Sequence, residues 1–549
     1  MVVLAALCLL GLFSTEIADT DFWWHLKTGE YIWQHRSLPV PDPFSFTADL
    51  GAPAFEGEAR VRYFNLTHEW LGQLLWYAVY RLAGFPGVVL FKALLLTAFC
   101  GIAGLLAARR TGSRYWGLAA AGAASSLAVL FSVDRPALLT FFFVAVFVWI
   151  LERGSPLWLL PVLALVWANC HGGFFLGWVV LGAYAAGATI RRRPGQPEPG
   201  LRRLWLITLV SMSVSGLNPS YFHIVEILAA YRRSSLQRGL VEWSRPPLWG
   251  PPYAFDVLLY AAIAVLIAAR RRVRLSDWLL FSLFAAASLL AFRNILLIAF
   301  LAPILIASYF PWQRRLPAAA APAACLLLAA LLGAGIFRGR FFQWRAALWK
   351  FPAGAAEFLL ANHAGGHLFN TYEYGGYLIW RLWPQQRVFI DGRALNESVY
   401  HDYVQALGDS RGGGREEVLA RYGVEAIVAN GFESTSGVIY PMVLALASPA
   451  ETNWRLVYQD PAAMVFFRHP PPGMHGLPKS AIGEHLEAEC GLYIEKDPEL
   501  CLCARTLGFL FLRGGDAQRA RRWLSRYLSS PHETDPEAEA AYRGLPVRP

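Results

Sequence analysis

Two carboxylates one residue apart, Asp19-Thr20-Asp21, stand directly before Trp23-Trp24-His25. A carboxylate at the mouth of a cavity can take a proton from an attacking hydroxyl. Asp21 and His25, one helical turn apart, could instead hold a divalent metal, although such pairs are common on helices. Other polar residues recur at intervals in an apolar chain: His68-Glu69, Asp134-Arg135, Asn169 with His171, Asn218, Glu242 and Arg293, and much later Asp391-Gly392-Arg393. Each has an ordinary explanation. Asp21 suits the N-cap of a helix over 22–35, and Glu69 complements the dipole of a helix running to Leu82. Asn218-Pro219 reads as a turn, and Trp23-Trp24 as an interfacial aromatic belt. What favours chemistry is where they fall together.

The elements that must position them are membrane helices. Of 549 residues, 56% are hydrophobic and 16% charged, with a mean hydropathy of +0.36. A water-soluble chain carries about a quarter charged residues, so a single soluble globule is excluded, as are disorder, collagen and a disulfide-stapled secreted domain. A spanning helix needs about 20 mostly apolar residues. Candidates lie at 2–18, 87–107, 115–132, 137–152, 156–168, 174–190, 204–217, 254–269, 278–292, 295–311 and 317–336, about eleven crossings. The first lacks a basic n-region and a small-residue cleavage site, so it reads as a span rather than a signal peptide.

Arginines set the orientation. Arg109, Arg110, Arg114, Arg153, residues 191–193, Arg202, Arg203, residues 270–272 with Arg274, Arg314 and Arg315 share one side if the spans alternate. That side is cytoplasmic, which places 19–86 and 337–549 outside. Arg232, Arg233 and Arg238 break the rule and imply a miscounted span or an outer anionic partner. In this topology Asp19, Asp21, His25, His68, Glu69, Arg135, Asn169, His171, Asn218, Glu242 and Arg293 all collect on the outer side, which implies a polar cavity opening outward. No nucleic-acid partner is expected. Inverted repeats and midplane charges are not evident, which ranks a transporter last.

The first outer loop, 19–86, holds an extended Pro-rich run (Pro39, Pro41, Pro43) and an amphipathic stretch from His68 with Leu71, Leu74, Leu75, Ala78 and Leu82 on one face, suited to the membrane interface. The membrane domain ends near 336. Residues 337–477 read as an α/β domain. A helix is expected over 348–361 and strands at 367–370, 387–390, 424–428, 454–458 and 464–467, the last two a hairpin across Asp460-Pro461. Asp391 and Arg393, beyond a strand end, are candidates for binding an acceptor, against the plainer reading of a turn. Gly375-Gly376 reads as a packing or turn feature. Residues 478–549 form a helical tail of tetratricopeptide-like spacing that should dock on its neighbours or bind a protein partner. Cys490 is expected to bridge to Cys501 or Cys503.

These motifs carry a resemblance. The acidic first outer loop, the multiple spans and the outward C-terminal domain resemble the GT-C superfamily of membrane glycosyltransferases. The segments 19–26, 42–47, 68–71, 370–377 and 389–393 are similar to an uncharacterised bacterial group of GT-C-like proteins, over most of the chain to about 470. The resemblance implies transfer of a sugar from a polyprenyl-phosphate donor to a periplasmic or lipid-linked acceptor at the outer face of the bacterial inner membrane. It implies that Asp19 and Asp21 act as base or metal ligand, so a divalent metal is possible, and that Arg135 and Arg293 bind the lipid phosphate through their planar donors. Protein O-mannosyltransferases carry an Asp-Glu pair where this chain has Asp-Thr-Asp. A non-catalytic envelope scaffold, or a glycan polymerase or ligase using lipid-linked oligosaccharide, are the alternative functions.

Overall fold

The computed structural model describes residues 1–154, 156–191, 199–310, 320–393, 395–409 and 413–546. Arg192, Arg193, Arg314 and Arg315, and most of the 194–200 linker, lie outside the described residues. The chain divides into two compact units, Met1–Val40 with Pro53–Ala346, and Pro41–Ala52 with Ala347–Pro549.

The first unit is helical: α1 (Val2–Phe13), α2 (Phe22–His35), α3 (Glu58–Thr67), α4 (Trp70–Thr111), α5 (Arg114–Ala128), α6 (Ala137–Arg153), α7 (Leu159–Cys170), α8 (Phe175–Arg191), α9 (Pro199–Ser215), α10 (Ile224–Tyr231), α11 (Ser235–Gly239), α12 (Tyr253–Ala268), α13 (Leu275–Leu290), α14 (Ile295–Tyr309) and α15 (Ala320–Phe337). A helix lies on each of the eleven expected segments. Among the described residues, four stretches can cross a membrane by length and composition: Glu58–Thr111, Gly172–Ile190, Phe292–Tyr309 and Ala320–Phe337. The count of eleven is not carried by helix length, because α1 and α7 have 12 residues and α12 and α13 have 16, against about 20 for a full crossing. Helix α14 is apolar on every side and buried almost throughout, as a central helix must be.

Two expected elements fuse in α4. Its first turns carry the amphipathic stretch and its second half the apolar span, with the break at Gly84 (φ 61, ψ −156), two residues before Pro86. Only glycine takes that backbone conformation without strain. Leu75 and Leu82 stay exposed, while Gly72, Gln73, Trp76 and Tyr77 turn inward. Some arginines of the basic clusters are internal. Arg110 pairs with Glu152 (2.9 Å) and Asp277 (3.1 Å), and Arg274 with the same two (2.7 and 2.9 Å), tying the ends of α4, α6 and α13.

The second unit contains α16 (Ala353–Ala361), β1 (His367–Asn370), α17 (Gly375–Leu382), α18 (Glu397–Gly408), α19 (Gly413–Arg421), β2 (Val424–Ala429), α20 (Pro441–Ala447), β3 (Arg455–Gln459), β4 (Met464–Phe467), α21 (Ser480–Lys496), α22 (Leu502–Arg513), α23 (Ala517–Leu528) and α24 (Pro536–Gly544). The sheet order is β1-β2-β4-β3, with β1 and β2 parallel and the other pairs antiparallel. The expected strand at 387–390 is not one: Val388 makes a single bridge, to Ser45. Its residues are apolar because Val388, Phe389 and Ile390 are packed inside the unit, not because they extend the sheet. The helical tail is no appendix, since Leu486, Leu507 and Trp523 share one core with Phe369, Ile427 and Phe466. Cys490 bridges to Cys503, and Cys501 is free and buried.

Candidate functional site

Close approach of helices in the first unit gathers the polar residues. A Cβ on Gly29 would lie 2.2 Å from the Gln73 carbonyl oxygen, and one on Gly72 would lie 2.7 Å from the Cys170 carbonyl oxygen and 2.8 Å from Pro136 Cβ. Glycine at these points lets α2 press on α4, and the start of α4 press on the end of α7 and the Asp134-Arg135-Pro136 turn. His25, Glu69, His171 and Arg135 are thereby drawn together.

Two linked clusters result. In the first, the Arg135 guanidinium reaches Asp19 Oδ2 through Nε (3.1 Å), Asp21 Oδ2 through Nη1 (2.5 Å) and Glu242 Oε2 through Nη2 (3.6 Å). Glu242 Oε1 then meets Arg293 Nη1 at 3.2 Å. Trp24 Nε1–H donates to Asp21 Oδ1 (3.1 Å), and the Asp21 N–H donates to Asp19 Oδ1 (3.1 Å). Trp23 and Trp24 are buried, not an interfacial belt. Asp21 precedes α2 but makes no side-chain cap bond. Its burial pushes its pKa up to about 7, against the pull of Arg135.

In the second, three histidines surround Glu69: His25 Nδ1 (3.2 Å), His68 Nε2 (3.2 Å) and His171 Nε2 (3.3 Å). Like Asp21, Glu69 stands at a helix start without capping it. Burial pushes His25 down to about 4, so it meets Glu69 as a neutral hydrogen-bond partner. His68, His171, Arg293 and Asn294 line a cavity of about 120 Å³ whose other walls include Phe64, Phe141, Leu176, Leu228, Tyr231 and Trp243. It is polar at one end and greasy at the other. The Arg293 guanidinium lies 5.1 Å from the Trp243 ring centroid, and the Tyr231 hydroxyl donates to Asn65 at 2.5 Å.

The ligand-type groups fall into two sets. Asp21 and His25 turn to different partners, so the helical pair considered above does not converge. Asp19, Asp21 and Glu242 surround Arg135, which fills the position a cation would take. Among the described residues, one trio of ligand-type side chains brings its donor atoms within 4.8 Å of one another, His68, Glu69 and His171. There the Gly173 N–H donates to His171 Nδ1 (3.0 Å), with the Thr140 hydroxyl 2.6 Å from the same atom. His171 Nδ1 is thus taken as an acceptor, while His68 Nδ1 donates to the Phe64 carbonyl oxygen at 2.7 Å and leaves Nε2 facing Glu69.

Four sequence-derived candidates lie elsewhere. Asn169 accepts from Trp70 Nε1 (2.8 Å) and donates to the Leu165 and Leu217 carbonyls. Asn218 accepts from the Ser220 N–H (2.8 Å) and closes the expected turn. Both line a neighbouring concavity with Trp70 and Arg36, and their amides are spent on structure. Asp391 and Arg393 belong to the second unit, where Arg393 holds Asp391 (2.7 Å) and Asp42 (2.5 Å) as a buried triad. With its guanidinium enclosed, Arg393 offers an acceptor nothing. Gly375 there packs against Ile390 and Asp391, as a packing glycine should. Arg233, which broke the charge rule, pairs with Glu56 at 2.8 Å. The clearest omission from the sequence reading is Lys92, in the apolar half of α4 and paired with Asp134 at 2.8 Å.

No family model matches the sequence, and no curated relative does. Over its backbone the chain is similar to the archaeal oligosaccharyltransferase AglB from Archaeoglobus fulgidus, solved in complex with an inhibitory peptide and a dolichol-phosphate. The TM-score is 0.56 at 10% identity, covering 96% of this chain and 85% of that one. At that identity the likeness speaks for the fold alone.

Proposed function

We propose that the protein is an integral membrane glycosyltransferase, moving a sugar from a polyprenyl-phosphate donor to an acceptor hydroxyl. In this reading the site faces the periplasmic side of a bacterial inner membrane, and the acceptor is periplasmic or lipid-linked. The observation that supports it best is the chain Asp19/Asp21–Arg135–Glu242–Arg293, which ends at a cavity walled by aromatic and aliphatic side chains. Such a cavity takes the first carbons of a lipid, and Arg293 takes its phosphate through a planar donor fork.

The reaction follows from those positions. Asp21 takes the proton of the acceptor hydroxyl as that oxygen bonds the anomeric carbon. The bond from that carbon to the phosphate oxygen breaks on the opposite side, and its electron pair leaves with the phosphate, whose charge Arg293 compensates. The anomeric centre is inverted. A base with a pKa of about 7 is well matched to neutral pH. Asp19 shares Arg135 with Asp21 and fixes its direction. Most of the acceleration is orientation and electrostatic stabilisation.

The test is transfer by the reconstituted protein from a panel of polyprenyl-phosphate sugars. Asp21→Asn is expected to abolish it and Asp19→Asn to cut it strongly, both with unchanged thermal melting. Full activity in both variants refutes the assignment.

A further inference from the structure

Lys92 has no part in the chemistry just described, yet it is fully buried in the first unit, with none of its side chain exposed. Ionisable groups in apolar helices are costly and are retained where they have work to do. Its ammonium group shares three N–H donors among oxygens of two different loops. From the α5–α6 loop come Asp134 Oδ1 (2.8 Å) and the Ser132 carbonyl (3.4 Å); from the α1–α2 loop come the Thr15 carbonyl (3.0 Å) and Thr15 Oγ1 (3.1 Å). The loops also touch directly, with the Thr15 and Ser132 hydroxyls 3.2 Å apart. Asp134 in turn accepts the backbone N–H of Ala18. The next residues along each strand of chain are Asp19 and Arg135, which meet at 3.1 Å.

We propose that Lys92 is a positioning residue, a fixed cation that locks the α1–α2 loop to the α5–α6 loop and so sets the Asp19–Arg135–Asp21 geometry. Apolar packing at this point would tolerate sliding of one loop past the other. An ammonium that needs oxygens from both loops at once does not. The lock follows from the contacts alone, and its consequence for rate rests on the glycosyltransferase reading.

The experiment uses the full-length protein in lipid nanodiscs carrying Thr15→Cys with Ser132→Cys, at the positions whose hydroxyls lie 3.2 Å apart. This pair is compared with and without Lys92→Met/Asp134→Leu, which removes both charges so that neither is left buried alone; size exclusion and thermal melting confirm folding. With Lys92 present, mild oxidant closes the cross-link rapidly, as read by peptide mass spectrometry. In the neutral background closure slows severalfold, kcat falls about 100-fold, the scale of a small misplacement of catalytic groups, and completing the cross-link returns most of the lost rate. An unchanged cross-linking rate overturns the lock, whatever the activity. Slower cross-linking with unchanged kcat overturns the positioning role. If transfer also survives Asp21→Asn, the glycosyltransferase reading fails while cross-linking still judges the lock.

Discussion

Arg135 offers the most exacting test of the site, because charge and shape can be separated there. Its three nitrogens address three carboxylates, Asp19 (3.1 Å), Asp21 (2.5 Å) and Glu242 (3.6 Å). Arg135→Lys keeps the charge but offers a single nitrogen, which cannot hold all three. Loss of orientation of this kind costs about 100-fold in kcat, or about 2.7 kcal/mol of barrier. The donor KM should change little, because Arg293 holds the phosphate. Arg135→Met also removes the charge. Stranding a fully buried partner costs about 3–5 kcal/mol; with Arg135 itself 24% exposed, about 2 kcal/mol of stability is the expectation after solvent screening. The pH profile carries the sign. Asp21 must be ionised to act, so the wild-type rate falls as pH drops through about 7. Around Asp21, Asp19 and Glu242 push its pKa up, while Arg135 and the Trp24 N–H pull it down. Without Arg135 the pKa rises, and the acid limb of Arg135→Met moves to higher pH. Initial rates across pH, donor titration and thermal melting read all three effects. Wild-type kcat in Arg135→Lys, or an unmoved acid limb in Arg135→Met, refutes the reasoning.

Three further outcomes are expected. Because Arg135 stands among the carboxylates where a cation would sit, transfer should persist in EDTA; activity lost on chelation and restored by Mn²⁺ or Mg²⁺ would show that the arginine yields its place to an ion. Arg393→Met should destabilise the second unit by about 3–5 kcal/mol, since it leaves Asp42 and Asp391 buried without their cation; chemical denaturation followed by tryptophan fluorescence measures it, and a loss under about 1 kcal/mol contradicts a structural role. Cys490→Ser should cost about 3 kcal/mol for a loop of this length, with non-reducing peptide mapping of the wild type showing Cys490–Cys503 rather than a pairing with Cys501.

Local pattern carried much of the fold. The helix Phe22–His35 follows Asp21 as expected, and the strand Met464–Phe467 and the β3–β4 hairpin fall on either side of the Asp460-Pro461 turn. What pattern could not supply was the use of a segment at long range. Residues 41–52 look like part of one continuous outer loop, yet they fold with the second unit, where Thr47 Oγ1 donates to the Phe389 carbonyl (2.5 Å) and Asn396 to the Leu50 carbonyl (2.7 Å). The run 387–390 has a strand's composition for the same reason, being packed from several directions. Asp391-Gly392-Arg393 similarly looks like a site until its partner is known, and that partner, Asp42, lies about 350 residues earlier. Lys92 was readable in principle, as a lone charge inside an apolar helix; its partners in two other parts of the chain were not.

The candidate site shows which ordinary explanations to believe. Asn218 satisfies its amide on nearby backbone, and Asn169 on the Leu165 and Leu217 carbonyls and the Trp70 indole, so both amide NH₂ groups are committed to the fold. Asp21 and Glu69 occupy the same kind of place, at helix starts where a carboxylate would normally cap or complement the dipole, yet neither caps. Both send their carboxylates to side chains from other helices and loops instead, Asp21 to Arg135 and Glu69 to His25 and His171. Forgoing a cap that was within reach costs stability at each helix, about 1 kcal/mol by the usual measure. A carboxylate at a helix start that leaves the local N–H groups unserved in order to complete a distant charge cluster is therefore better evidence of a working site than composition, burial or one-sidedness alone.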